Sequence, residues 1–134
     1  MLTLVDVLTP SEREALLVSG LPADAAPAAA AARLQSLGVK TVVVTLGAAG
    51  ALVKTVADAA FTVPSFRVPA VDTVAAGDAF NGGLAVALAQ GQPLATAVRF
   101  ANAVAALAVT RPGAQSSLPS AAEVAAFLEA RMGD

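Results

Sequence analysis

The chain has 134 residues, 57% of them hydrophobic and 13% charged, with a net charge of −2. That is long enough for one domain with its own core, too apolar for a disordered segment, and without the basic surface a nucleic-acid binder needs. It has no cysteine, histidine, tyrosine or tryptophan, which excludes disulfides, thiolate chemistry and a histidine base and leaves acid–base work to Asp or Glu and metal binding to oxygen ligands.

The opening "MLTLVDVLTP" carries an acid and no basic segment, so it is a poor signal peptide. The longest apolar stretches, 84–89 and 103–109, fall far short of the roughly 18 residues of a membrane span. The expectation is a cytoplasmic protein with neither nucleic-acid nor membrane partners.

Residues 3–8, "TLVDVL", predict a short buried strand ending at Thr9-Pro10. "TPSEREALLVSG" predicts a helix with Ser11 as cap and Glu14 completing a capping box, ended by Gly20 and Pro22. After the loop "LPADAAPAA", a helix is expected from about Ala28 to Leu37, stopped by Gly38. "VKTVVVTLG" is the clearest strand, a β-branched run closed by a glycine. A hairpin-like stretch follows, with strands near 51–55 and 60–63. From Ala76 the pattern turns helical, to about Gln90 and then from about Leu94 to Thr110. "RPGAQSSLPS" is a turn-rich loop, and a last helix covers about 121–131 with Ser120 as its cap. Strands alternating with helices argue for an α/β sheet covered by helices.

Five stretches could carry chemistry. In "VDTVAAGDAFNGG", residues 71–83, Ala75, Ala76 and Gly77 leave a helix start open to an anion. Asp78, in the first turn, could orient a hydroxyl and accept its proton as a P–O bond forms. The same residues also fit a tight turn with an ordinary first-turn acid. "TLGAAG", Thr45 to Gly50, follows the strong strand and allows backbone approach to a nucleotide, or is simply a turn. Glu14 closes the capping box, and could also hold water around a magnesium–phosphate group. "TRPGAQSSLP" follows a helix end, where carbonyls and a hydroxyl from Ser116 or Ser117 could ring a monovalent cation; it is otherwise a loop. Asn102, on the apolar face with Val98, Ala101 and Ala105, takes a backbone or water partner or touches a base edge.

"DTVAAGDAFNGGLAVAL" resembles the C-terminal signature of the ribokinase-type carbohydrate kinases, D-T-x-[AG]-[AG]-G-D-x-F. "TLGAAGAL" upstream and "AVRFANAVAALAVTRPGAQSSLP" downstream extend the resemblance over essentially the whole chain. It implies a three-layer, Rossmann-like α/β fold with helices on both faces of the sheet. Residues 1–134 would then be the C-terminal, ATP-binding and catalytic part, with the sugar-binding half and the lid absent. An exposed sheet edge is expected to result.

By position, the resemblance makes Asp78 the base and Ala75, Ala76 and Gly77 the anion hole. Thr45, Leu46, Gly47, Ala48, Ala49 and Gly50 fall on the ATP turn, and Asn102 falls near the adenine. Potassium would be held by Asp72, the carbonyls of Val74, Ala108, Arg111 and Gly113, and Ser117, while magnesium would arrive with ATP. The family's N-x-x-E is Ser11-Glu12-Arg13-Glu14 here: Ser11 can cap but lacks the amide donor, whereas Glu14 is kept. The implied reaction is ATP-dependent phosphorylation of a primary sugar hydroxyl, D-ribose to ribose 5-phosphate. Another family sugar or nucleoside kinase, such as a fructokinase, and a truncated nucleotide-binding domain without catalysis stay open. So does a homodimer of the full-length enzyme.

Overall fold

The structure, a computed structural model, describes residues 2–113 and 118–131. It divides into two compact units, Met1–Val63 and Pro64–Asp134.

The first unit is a four-stranded mixed sheet with two helices. Its strands are β1 (Val7–Leu8), β2 (Thr41–Thr45), β3 (Ala51–Thr55) and β4 (Phe61–Val63), and its helices α1 (Glu12–Ser19) and α2 (Pro27–Ser36). The strand order is β1-β2-β3-β4, with β1 parallel to β2 and the other pairs antiparallel. Val42 and Val44 face a cluster with Ala15 of α1 and Ala30, Ala31 and Leu34 of α2. Val43 and its cross-strand partner Val53 point the other way and are equally buried. Burial on both faces is why β2 reads as a continuous β-branched run rather than an alternating one. Each such Val or Leu contributes roughly 1.5–3 kcal/mol by leaving water.

The buried strand expected over 3–8 is corrected. Only Val7 and Leu8 are extended, and Val7 is 36% exposed. Leu2–Leu4 form a 3-10 turn, closed by the Val5 N–H on Leu2 O at 3.1 Å. Among the described residues β1 pairs on one side only, so the residues before it have no ladder to join and satisfy their backbone locally. β2 is also shorter than "VKTVVVTLG" suggested: Lys40, exposed and paired with Asp6, precedes it, and Leu46 already opens the turn that follows.

The second unit holds α3 (Ala76–Ala89), α4 (Leu94–Val109) and α5 (Ala121–Ala130). α3 and α4 lie against each other at small residues, Ala79 and Ala87 on one and Ala97, Ala101 and Ala108 on the other, all buried. Phe66 and Phe127 meet edge-to-face at 5.1 Å, with the Arg99 guanidinium 4.7 Å from the Phe66 ring. No helix among the described residues is long and apolar enough to cross a membrane.

Candidate active site

In the first unit the candidate residues gather where β2 ends. Ser11 caps α1: its Oγ accepts from the Glu14 N–H at 3.2 Å, and Glu14 Oε1 accepts from the Ser11 N–H at 2.9 Å. The bond from the Ser11 N–H, and next the Ser11 hydroxyl, hold the Glu14 carboxyl below the usual carboxylate range. Ser11 also bridges to Thr45, and the Thr45 N–H donates to Pro10 O at 2.9 Å, so the start of α1 lies beside the end of β2. From there Gly47–Ala49 make one 3-10 turn between Leu46 and Gly50. Gly47 (φ 59°) and Gly50 (φ 105°) occupy backbone regions that side chains disfavour. Gly47, Ala48 and Ala49 are exposed, and nothing lies within 4 Å of a Cβ placed at Gly47. The turn thus offers bare backbone at a strand's carboxyl end, where open α/β sheets take their ligands.

In the second unit Asp72 organises the approach to α3. Its Oδ1 accepts from the Val74 N–H at 3.0 Å and its Oδ2 from the Gly113 N–H at 3.2 Å. These two bonds, Val74's first, hold the Asp72 carboxyl below its ordinary range. Both oxygens keep a lone pair free for a cation. Two further bonds, from the Val71 and Asp72 N–H groups to Val109 O at 2.6 and 3.1 Å, lay this segment along the end of α4.

α3 begins without a side-chain cap at Ala75. The Ala76 N–H is taken by Thr73 O at 3.2 Å, so one of the three amides expected to form the anion hole is already engaged. Gly77 is exposed with nothing within 4 Å of a Cβ, and Asp78 beside it is exposed in the first turn. Asp78 borders a groove of about 300 Å³ lined by Gly82, Val86, Phe100, Val104, Leu118 and other apolar residues, in which it is the one charged group among the described residues.

Asn102 is 3% exposed, and its Nδ2 donates to Pro64 O at 3.2 Å. The backbone partner expected of it is present. The Ala108 carbonyl accepts from the Arg111 N–H at 3.2 Å, and the Arg111 side chain pairs with Glu123. Ser116 and Ser117 lie outside the described residues.

Two further residues matter here. Gly83 of α3 lies directly against Val104 and Ala101 of α4. Glu123 completes a capping box with Ser120, and "SAAE" repeats the S-x-x-E spacing of "SERE" that marks α1. Its second bond, to Arg111, has no local signal.

The sequence pattern of the pfkB family carbohydrate kinases matches residues 1–121. Ribokinase of Haemophilus influenzae is 43% identical over 131 residues, 96% of this chain and 42% of that protein. The crystal structure of Thermotoga maritima ribokinase superposes with a TM-score of 0.90 at 45% identity, over 96% of this chain and 43% of the other. Arabidopsis thaliana ribokinase, solved with ribose and ATP, gives 0.90 at 33% identity, over 96% and 42%. A double mutant of Vibrio cholerae fructokinase, solved with fructose, ADP and a potassium ion, gives 0.80 at 39% identity, over 94% and 41%. These likenesses establish a ribokinase-like α/β fold. The chain spans about two-fifths of the length of the relatives it matches.

Proposed function

Because the chain belongs to the pfkB family of carbohydrate kinases, we propose that it is the ATP-binding and catalytic part of an enzyme that phosphorylates a primary sugar hydroxyl, D-ribose first. The observation that carries this reading is Asp78: an exposed carboxylate in the first turn of α3, directly after a glycine whose backbone is open.

Phosphoryl transfer asks mainly for positioning and for stabilised charge. Asp78 orients the hydroxyl and takes its proton as the new P–O bond forms. The free amides at the start of α3, together with the positive end of its dipole, stabilise the transferring group. The Gly47–Ala49 turn supplies backbone for the nucleotide, and Ser11 and Glu14 stand at the neighbouring helix start. Magnesium comes with ATP and reduces its phosphate charge.

Potassium is the fitting monovalent ion at Asp72. The carbonyls of Val74, Ala108, Arg111 and Gly113, which the resemblance implies, would join the Asp72 carboxylate there as hard oxygen donors, and Asp72 itself links the turn before α3 to the turn after α4. The fructokinase solved with potassium supports the same choice.

The likeness to that fructokinase favours a second reading, in which the acceptor is another sugar. Substitution Asp78→Ala, in a chain as long as the relatives, tests the shared chemistry. Loss of a general base is expected to slow transfer by roughly 10²–10⁴-fold while leaving MgATP binding in place. Activity within about tenfold of the parent would remove Asp78 from that role.

A further inference from the structure

A continuous set of contacts runs from α5 to the turn that leads into Asp78. Glu123 uses one carboxylate oxygen for its own helix: Oε1 accepts from the Ser120 N–H at 3.2 Å. Its other oxygen, Oε2, binds the Arg111 guanidinium. Arg111 stands in the turn after α4, two residues before Gly113, and the Gly113 N–H donates to Asp72 Oδ2 at 3.2 Å. Asp72 then holds the Val74 N–H, the last turn before α3, at 3.0 Å.

A cation just past a helix C-terminus is favourable in itself, which accounts for a basic residue at 111. It does not account for an Arg111 side chain about one-third exposed whose guanidinium pairs with a carboxylate on a different helix. Nor does the capping box of α5 need Arg111, since Ser120 and Glu123 complete it without help.

We infer that Arg111 and Glu123 are positioning residues: their ion pair pins the 111–113 turn to α5, which keeps the Gly113 N–H on Asp72 and so fixes the segment that presents Asp78. Neither side chain touches a reacting atom. The meaning for catalysis rests on the function proposed above, whereas the tether itself rests on contacts within the second unit.

Amide hydrogen exchange followed by NMR on the 134-residue chain tests it, in Glu123→Gln, Arg111→Ala and Arg111→Lys. Glutamine still serves a capping box, so Glu123→Gln removes the charge that holds Arg111 and leaves α5 capped. The Gly113 and Val74 amides are expected to exchange about two- to fivefold faster in Glu123→Gln and Arg111→Ala, the range open to a half-exposed pair. The Val124 amide, bonded to Ser120 O at the start of α5, should keep its rate. Arg111→Lys should recover part of the protection, and the double variant should exchange no faster than Arg111→Ala alone. Unchanged rates at Gly113 and Val74 in both single variants would overturn the inference. So would an equal acceleration at Val124, which would reduce the pair to a local brace of α5. Titration of the unsubstituted chain with MgATP tests the functional reading separately: absent resonance shifts at residues 75–78 would count against that reading, while exchange still decides the tether.

Discussion

A Cβ at Gly83 would meet Val104 Cγ2 at 2.9 Å and the Ala101 Cα at 3.2 Å, whereas one at Gly82 would meet nothing within 4 Å. The valine methyl can give way, but the Ala101 backbone can do so only if α4 shifts. Gly83→Ala is therefore expected to cost about 1–3 kcal/mol through overpacking. Gly82→Ala restricts the unfolded chain in a helix interior with room for the methyl, and should stabilise by about 0.4–1 kcal/mol. Urea denaturation of the two variants checks the pair, and the opposite ranking would refute this account of how α3 and α4 approach. Small residues serve twice along α3: Gly83 admits α4, and Ala76 and Gly77 leave the first turn without bulky side chains.

α1 and α5 both start with S-x-x-E, and both boxes form. Within α1 the Glu14 carboxyl sits below its unfolded range because the Ser11 N–H and hydroxyl favour its charged form. A group whose folded pKa is lowered contributes stability that is present above its unfolded value and is lost as pH falls through the folded one. Glu14→Gln should therefore melt below the parent at neutral pH, with the gap closing as pH drops under about 4. Melting temperatures across that range provide the check, and a gap independent of pH would mean that charge is irrelevant to the box. Elements of this kind were legible in the sequence because their signals are local: a cap three residues from its partner, a β-branched run, a glycine after a helix. Asp72 and Asp78 could be singled out for the same reason. The shape of β1 was not legible, because whether residues 3–8 extend depends on what pairs with them. The Asn102–Pro64 and Arg111–Glu123 contacts escaped for a related reason, joining residues 38 and 12 apart through tertiary structure, whereas the resemblance had already set Asp72 with Gly113.

Asp72 links the turn before α3 to the turn after α4, so a cation held there, as proposed above, would tie two helices and the start of Asp78's turn together. Potassium, larger and more easily stripped of water than sodium, is expected to raise sugar phosphorylation by a chain as long as the relatives, and equal initial rates in the two salts would count against the site. Catalysis by the 134-residue chain itself is a different matter. A sugar is held by several hydrogen-bond groups placed around its hydroxyls, yet the groove beside Asp78 offers one carboxylate among Gly82, Val86, Phe100, Val104 and Leu118. The relatives are more than twice as long as this chain, which leaves ample sequence in them for such groups. Purified alone, the chain is therefore expected to show no phosphorylation of ribose or fructose above a no-enzyme control. The MgATP binding proposed above can persist without it. Adding the remainder of a relative as a separate polypeptide should restore turnover if the deficit is the acceptor pocket. Robust turnover by the chain alone would show that the groove at Asp78 suffices to hold a sugar.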